Sequence, residues 1–260
     1  MNRSLYTGAV GMMTQMKLMD VASNNIANVN TTGYKADSVV TRSFDEELLK
    51  RIKDLDSTET HINAPVVGTV NLGVTIDEVI TDHSNGSFQS TSSALDLALD
   101  GAGYFTVQFT DANGEVTEKY TRDGSFTLDN ENNLRTKDGY LVLGENGPIT
   151  LSGVGSPFIG EDGSVYDGNE IIDQLKLVDV EDKNYLQKYG ENLYTLLDGG
   201  TTVDSDASVV QGYLENSNAS SVKEMVNLIN ISRVYEANSK VVTTSDTLLG
   251  KAVNDIARKV

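Results

Sequence analysis

The two histidines, His61 and His83, are the side chains of this sequence best suited to hold a transition metal or to move a proton near neutral pH. They stand in loop-like stretches, without the His-x-x-x-His or Glu-flanked spacing that sets two ligands on one helix face. Asp129, Glu131 and Asn133 carry the alternating oxygen ligands that open a calcium loop. Leu134 stands where the sharp-turn glycine is needed, however, and Tyr140 where the closing bidentate glutamate is needed, so the stretch reads as a solvated hairpin turn. Gly101-x-Gly103 opens a strand and not a helix, and so presents no helix N-terminus to a phosphate. There is no Gly-x-Ser-x-Gly elbow for a serine nucleophile and no cysteine for a thiolate, a disulfide or a sulfur-ligated metal. Carboxylates are plentiful, but sequence does not set the separation that a glycosidase pair requires. An acidic-site hydrolase is therefore the weakest reading. No catalytic residue, cofactor or metal is expected, and the chain is expected not to be an enzyme.

The chain carrying these residues runs helix, strands, helix. Leu5, Ala9, Met12, Met16, Met19, Ser23 and Ile26 recur at alternating spacings of four and three, the 3.5 period of a coiled-coil seam. Ser4 is a candidate N-cap, and the helix is expected to fail between Asn24 and Asn30, where Asn and Thr side chains compete for the backbone. Leu228, Ile231, Tyr235, Asn238, Val242, Ser245, Leu249, Ala252 and Ile256 repeat the pattern. Val234, Val241 and Leu248 widen that stripe beyond what one partner helix covers. A helix from Ser221 to Ala257 would run about 55 Å and needs something long to lie against. From periodicity alone, each helix could equally lie on the core of its own domain.

Between them the period changes to two. Tyr104 to Thr110 alternates Phe105, Val107 and Phe109 with Thr106, Gln108 and Thr110, as a half-buried strand does. Further strands are predicted at Glu118 to Thr121, Ser125 to Leu128, Asn133 to Thr136, Tyr140 to Leu143, Gln174 to Val180 and Asn192 to Leu197, with turns at Asp123-Gly124 and Lys137-Asp-Gly139. Short strands at this spacing indicate an antiparallel sandwich or barrel-like domain, and all three prolines fall outside the predicted elements. Phe44 to Leu55 could make a helical turn or two, and His61 to Gly73 reads as extended.

The chain has 260 residues, enough for a real core, and a formal charge of −18. That charge excludes a general nucleic-acid binder and is repelled by anionic membrane surfaces. Residues 1–40 hold three bases against two acids and residues 220–260 six against four, which leaves −21 for the middle. Nearly neutral ends can pack against copies of themselves while the acidic centre stays solvated, although acids that merely decorate loops would give the same totals. The first twenty residues hold no apolar h-region, and no stretch approaches the length of a membrane span.

Ser23-Asn-Asn-Ile-Ala-Asn-Val-Asn-Thr-Thr-Gly-Tyr-Lys35, following directly on a heptad helix, resembles the signature of the flagellar axial proteins of the rod and hook; its family-motif positions are Asn24, Asn25, Asn28, Thr32, Gly33, Tyr34 and Lys35. Gln211-Gly-Tyr-Leu-Glu-Asn-Ser-Asn218, Glu224 to Ile229, Arg233 to Glu236 and Asn238 to Lys240 are similar to the closing helix of that family and its approach. Gly101 to Phe105 and Tyr120 to Phe126 resemble its β-domain. Ile26 departs from the more usual leucine and Ser232-Arg233-Val234 from Gln-Arg-Ala, both mild changes, while the stretch from Lys35 to Thr81 matches poorly.

The resemblance implies an α+β chain whose long terminal helices pair as a coiled coil around an antiparallel β-rich central domain. Residues 1–34 and 218–260 would form the axial core, 35–80 a connector and 81–217 the outer domain. The assembly interface would use Leu5, Ala9, Met12, Met16, Met19, Ile26, Leu228, Ile231, Tyr235, Val242, Leu249, Ala252 and Ile256. The implied function is a structural rod subunit of the basal body that polymerises into a tube and transmits torque from motor to hook. Its partners would be copies of itself, other rod and hook subunits and the flagellar type III export apparatus, with no nucleic acid and no small-molecule substrate. Its place would be extracytoplasmic, reached without a cleaved signal peptide. Hook proteins of the family usually carry an additional outer domain for which this chain has no room, which favours the rod; proximal or distal position stays open. The alternative from another class is a secreted β-rich binding module or adhesin anchored by helical ends.

Overall fold

Both periodic apolar segments form helices: α1 spans Arg3–Ala27 and α2 spans Ser221–Ala257. The computed structural model describes residues 3–44, 47–50, 66–111, 114–152, 157–168, 170–190 and 192–257, so that His61, Pro65 and the side chain of Ile256 lie outside what is described. α1 ends where Asn28 and Thr31 take over the backbone in a turn, with Val29 N–H donating to Ile26 O and Thr31 N–H to Asn28 O. Ser4, the candidate N-cap, lies inside the helix, and its hydroxyl meets Ser245 Oγ at 3.2 Å. The chain thus has an N-terminal helix, an antiparallel β-rich centre and a C-terminal helix.

The chain divides into two compact units. The helical unit comprises Met1–Asn24, Asp37–Ile80 and Val222–Val260, and the β-unit Asn25–Ala36 and Thr81–Ser221. In the helical unit α1 meets α2 at three levels, each about a turn apart: Ser4 against Ser245, Gly8 against Val242 and Gly11 against Asn238. The residue numbers run in opposite directions, so the helices are antiparallel at these contacts. A Cβ at Gly8 would stand 2.8 Å from Val242 Cγ2 and one at Gly11 2.8 Å from Asn238 Nδ2; glycine is what allows this approach. The adjacent face of α1 meets extended chain, with Thr14 Oγ1 donating to Val74 O at 2.9 Å and Thr7 Oγ1 to Leu72 O at 3.2 Å. The strands Asp37–Ser43 and Val74–Thr81 pair here, as do Glu47–Lys50 and Val66–Val70. The described part of Phe44 to Leu55 is therefore strand and not helical turn: cross-strand pairing decides a short apolar run that local periodicity leaves ambiguous.

The β-unit is built on a ten-stranded sheet. Its spine runs Leu186–Tyr189, Leu193–Leu196, Val116–Thr121, Tyr104–Thr110, Leu141–Gly144, Leu134–Thr136 and Phe126–Leu128, with antiparallel pairing throughout. Tyr104–Thr110 is central. Phe105 and Val107 enter the larger core with Leu97, Phe126, Val142 and Val209, while Tyr104 joins a second cluster with Val178, Val180 and Tyr194. The expected half-buried strand is thus buried on both faces over its first half, because the face that carries Tyr104 packs with Val178, Val180 and Tyr194 from other strands of the same sheet. The stretch Gln174 to Val180 divides between Glu170–Gln174 and Leu177–Val180. Pro148 occupies a two-residue edge strand paired with Leu143, a place that proline tolerates because no further strand needs its missing N–H. The strand Phe88–Ser90 pairs with Tyr213–Glu215, and Leu97–Asp100 with Ser208–Gln211.

Candidate functional site

The residues from Asn25 to Ala36 leave α1 and enter the β-unit, where nearly every polar side chain is used. Tyr34, 2% exposed, donates its hydroxyl to Asn25 Oδ1 at 3.2 Å. Thr31 Oγ1 donates to Asn28 Oδ1, and Thr32 Oγ1 donates at 2.6 Å to Asp123 Oδ1, a carboxylate that also accepts from Ser125 and Asn192. Gly33 has φ +67 and gives its N–H to Glu215 O at 2.8 Å. Lys188 Nζ lies 4.3 Å above the Tyr34 ring and donates to Lys35 O at 2.6 Å.

At the centre lies an ion triad with almost no exposure. Lys35 Nζ stands 2.6 Å from Glu215 Oε1, and Arg122 Nη1 stands 3.2 Å from Glu215 Oε2, with relative exposures of 1%, 3% and 1% for Lys35, Arg122 and Glu215. Further bonds go to backbone: Lys35 to Ser84 O, Arg122 to Leu99 O and Gly101 O, and Gly86 N–H to Glu215 Oε1, while Arg122 Nε is buried without a hydrogen-bond partner. Burial pulls the Lys35 ammonium below its usual range, and the hydrogen bond and charge of Glu215 oppose that pull. A buried pair of this kind is tolerable only because each member is hydrogen-bonded on several sides.

Asn218 closes the clasp. Its Oδ1 accepts from Ala36 N–H at 2.7 Å, and its Nδ2 donates to Asp82 O at 2.8 Å and to Ser84 Oγ at 3.2 Å. Its own N–H reaches Tyr34 O at 3.4 Å, and Asp82 N–H donates to Ala36 O at 2.8 Å. These charges are spent on one another and on backbone. The arrangement holds chain segments together and leaves no activated group facing a substrate.

His83 packs on the clasp between Tyr104 and Tyr194, with ring centroids 6.1 and 5.5 Å away, and its Nδ1 is 2.7 Å from Tyr104 Oη. Burial, with Lys183, Lys35 and Lys188 nearby, lowers it from 6.5 to about 4; Asp82 opposes this weakly. Burial also raises the Tyr104 hydroxyl, which keeps its proton. A histidine whose folded pKa is depressed contributes stability in full above the unfolded value of 6.5 and loses it as pH falls from there towards 4. The loss expected between pH 6.5 and 4.5 is on the order of 1–2 kcal/mol, partial solvation having reduced it. Urea midpoints of the full chain and of His83→Asn, measured at both pH values, should show a smaller acid loss in the variant; equal losses would show that His83 titrates alike in the folded and unfolded chain.

The stretches singled out in sequence as separate likenesses, 23–35, 101–105, 120–126 and 211–218, meet in this clasp through Lys35, Gly101, Arg122, Glu215 and Asn218. Residues 5–35 match the model of the flagella basal body rod protein, residues 98–167 that of the flagellar hook protein FlgE/F/G D1 domain, and residues 210–255 that of the flagellar basal body rod FlgEFG protein C-terminal region. The flagellar basal-body rod protein FlgG of Bacillus subtilis (strain 168) is 36% identical, the match covering 98% of this chain and 99% of the relative. FlgG of Buchnera aphidicola subsp. Schizaphis graminum is 35% identical over 95% of this chain and 97% of the relative, and the rod protein FlgF of Caulobacter vibrioides 35% over 99% of each. The chain belongs to the flagellar basal-body rod protein family.

As a rod protein it is a structural subunit of the flagellar basal body and not an enzyme. The resemblance drawn from Asn24 to Lys35 therefore rests on the stretch that forms the clasp. Its members at Asn25, Asn28, Tyr34 and Lys35 are buried, which the motif does not reveal. Nor did sequence reasoning single out Arg122, Glu215 or Asn218 as partners. A buried Lys of a rod motif needs a carboxylate, but nothing local says which of 38 acids supplies it.

The helix residues named from periodicity are placed less uniformly. On α2, Leu228, Ile231, Tyr235, Asn238, Val242 and Ser245 are half-buried at alternating spacings of three and four, while Leu249 is 40% exposed and Ala252 is exposed. On α1, Leu5, Ala9, Met12, Met19 and Ile26 are half-buried and Met16 is 55% exposed. The α1 contacts with α2 described above run through Ser4, Gly8 and Gly11, one position before Leu5, Ala9 and Met12.

Proposed function

We propose that this rod subunit polymerises through α1 and α2, paired as a coiled coil, and that copies of the pair line the inside of a tube with the β-unit as an outer layer. Residues 1–34 and 218–260 serve as the axial core and 81–217 as the outer domain, with 35–80 connecting them. The interface uses Leu5, Ala9, Met12, Met16, Met19 and Ile26 from α1, with Leu228, Ile231, Tyr235, Val242, Leu249, Ala252 and Ile256 from α2. The tube transmits torque from motor to hook. Other rod and hook subunits continue it, and the subunit reaches its extracytoplasmic place through the type III apparatus without signal cleavage. Nothing observed favours the adhesin alternative.

The observation that carries this reading is the apolar surface of α2. Beside the half-buried stripe, Val222, Met225, Val226 and Ile229 are 67%, 48%, 52% and 53% exposed, and Val241 and Leu248 47% and 62%. A helix facing only its own fold does not keep two apolar stripes, and contiguous exposed apolar surface marks an interaction site. Val222→Asp with Ile229→Asp should leave the unfolding midpoint of the isolated chain within about 0.5 kcal/mol, as surface changes do. The same pair should abolish incorporation into basal bodies, scored by immunoblot of purified basal bodies. Normal incorporation would overturn polymerisation through this face.

A further inference from the structure

Three Asn-Gly pairs stand in the sequence, at 85–86, 113–114 and 146–147, and the described residues include both members of the first and the last. Asn-Gly is a dipeptide that can modify itself. The glycine nitrogen attacks the asparagine Cγ, a C–N bond forms, the bond to Nδ2 breaks and ammonia leaves with the proton that the glycine nitrogen gave up. Water then opens the five-membered imide to aspartate or isoaspartate. Glycine favours the reaction because it has no Cβ to obstruct the approach and leaves the backbone most freedom. At 85–86 the glycine is dictated by space, since a Cβ on Gly86 would collide with Asn216 O. Asn85 is exposed, its Nδ2 reaching Gly101 O at 3.4 Å. The Gly86 N–H, in contrast, donates to Glu215 Oε1 at 2.8 Å within the buried triad. The chain is pinned on either side of this bond: Ser84 O accepts from Lys35 Nζ at 2.7 Å, and Asn216 N–H donates to Ser87 O at 2.9 Å.

We infer that Asn85 is a latent deamidation site of the β-unit and that Glu215 keeps it silent by holding the attacking nitrogen. An amide nitrogen attacks only after giving up its proton, and a carboxylate is far too weak a base to take it. The proton is instead fixed in a charge-assisted hydrogen bond, and a negative charge 2.8 Å away disfavours the amide anion that attack requires. At Asn146-Gly147 the neighbouring carboxylate holds the asparagine itself: Asp173 accepts from Asn146 Nδ2 at 2.8 Å and from its N–H at 3.4 Å. The consequence of losing this protection is local and severe. Isoaspartate at 85 lengthens the main chain by one methylene where Asn216 O leaves no room for even a Cβ, and so draws Gly86 away from Glu215. The carboxylate that organises the triad thus also preserves the covalent chain beside it, whether or not α2 polymerises.

The test is ageing of the full chain at mildly alkaline pH, with aspartate and isoaspartate at positions 85 and 146 counted by peptide mapping. A synthetic peptide of residues 80–92 supplies the unprotected rate. Asn85 in the parent chain should react more slowly than in the peptide by at least about tenfold, the factor that a hydrogen bond to a charged group represents. Glu215→Gln removes the charge and keeps an acceptor, and should speed Asn85 severalfold relative to Asn146. Glu215→Asp keeps the charge but withdraws it by one methylene; it should act in the same direction, and serves if the glutamine variant does not fold. Lys35→Met loosens the triad while leaving Gly86 bonded to Glu215, and should leave Asn85 as slow as in the parent. Parent and peptide reacting at one rate would overturn the inference, as would a faster Asn85 in Lys35→Met. Equal acceleration at Asn85 and Asn146 in the Glu215 variants would mean general opening of the β-unit, and a slower Asn85 there would mean that the carboxylate assists the attack; either result sinks the protective role.

Discussion

Replacing Glu215 with alanine is expected to cost about 3–5 kcal/mol, the range seen when one partner of a buried ion pair is removed. Against a total stability of about 5–15 kcal/mol this is enough to leave the β-unit marginal. The reason is an asymmetry within the triad. Glu215 is the acceptor shared by Lys35, Arg122 and Gly86 N–H, so its removal strands two buried cations and one backbone donor together. Lys35→Met removes one cation and leaves Glu215 still paired with Arg122 and Gly86, so it should cost clearly less. Urea unfolding followed by tyrosine fluorescence, the chain having no tryptophan, ranks the two variants. A Glu215→Ala cost below that of Lys35→Met would show that the triad is not organised around its carboxylate.

Gly33→Ala should be comparably severe for a different reason. The residue sits at φ +67, where an L side chain costs about 1 kcal/mol or more. A Cβ there would also collide with the Arg122 carbonyl carbon and stand 2.5 Å from the Asp123 amide nitrogen. Both are backbone atoms, fixed by the hydrogen bonds of Arg122 and Asp123, and neither can swing aside as a side chain could. Relief therefore needs movement of the 122–124 connection between two strands, for a combined cost of about 3 kcal/mol or more. Gly139→Ala is the control: its φ is +89 but nothing lies within 4 Å of the added carbon, so it carries the conformational cost alone, about 1 kcal/mol. Denaturant midpoints of the two variants separate strain from collision, and equal shifts would mean that the 122–124 connection yields freely.

The features legible in sequence are those that a short window contains. α2 was predicted from Ser221 to Ala257 and is observed there, because its apolar period persists for ten turns and no Gly or Pro interrupts it before Gly250. Tyr104–Thr110 was likewise marked by its alternation. Phe88–Ser90, Leu97–Asp100, Ser208–Gln211 and Tyr213–Glu215 carry no such signal. Each is three or four residues long and pairs with a partner more than 100 residues away, as Leu99 does with Val209 and Gln89 with Leu214, so no turn signal links the two strands.

The same distinction runs through the clasp. Helical ends and an acidic β-centre are legible from period, alternation and charge, and the resemblance to rod proteins from stretches such as Ser23 to Lys35, because all of these are carried by neighbouring residues. Only tertiary structure decided that Lys35 is buried, that Glu215 lies 180 residues away from it in sequence and 2.6 Å away in space, and that Asn218 holds Ala36 and Asp82 together. Contacts of that separation arise from the global path of the chain. A lone Lys, Glu or Asn carries no local trace of the partner that the fold will bring to it.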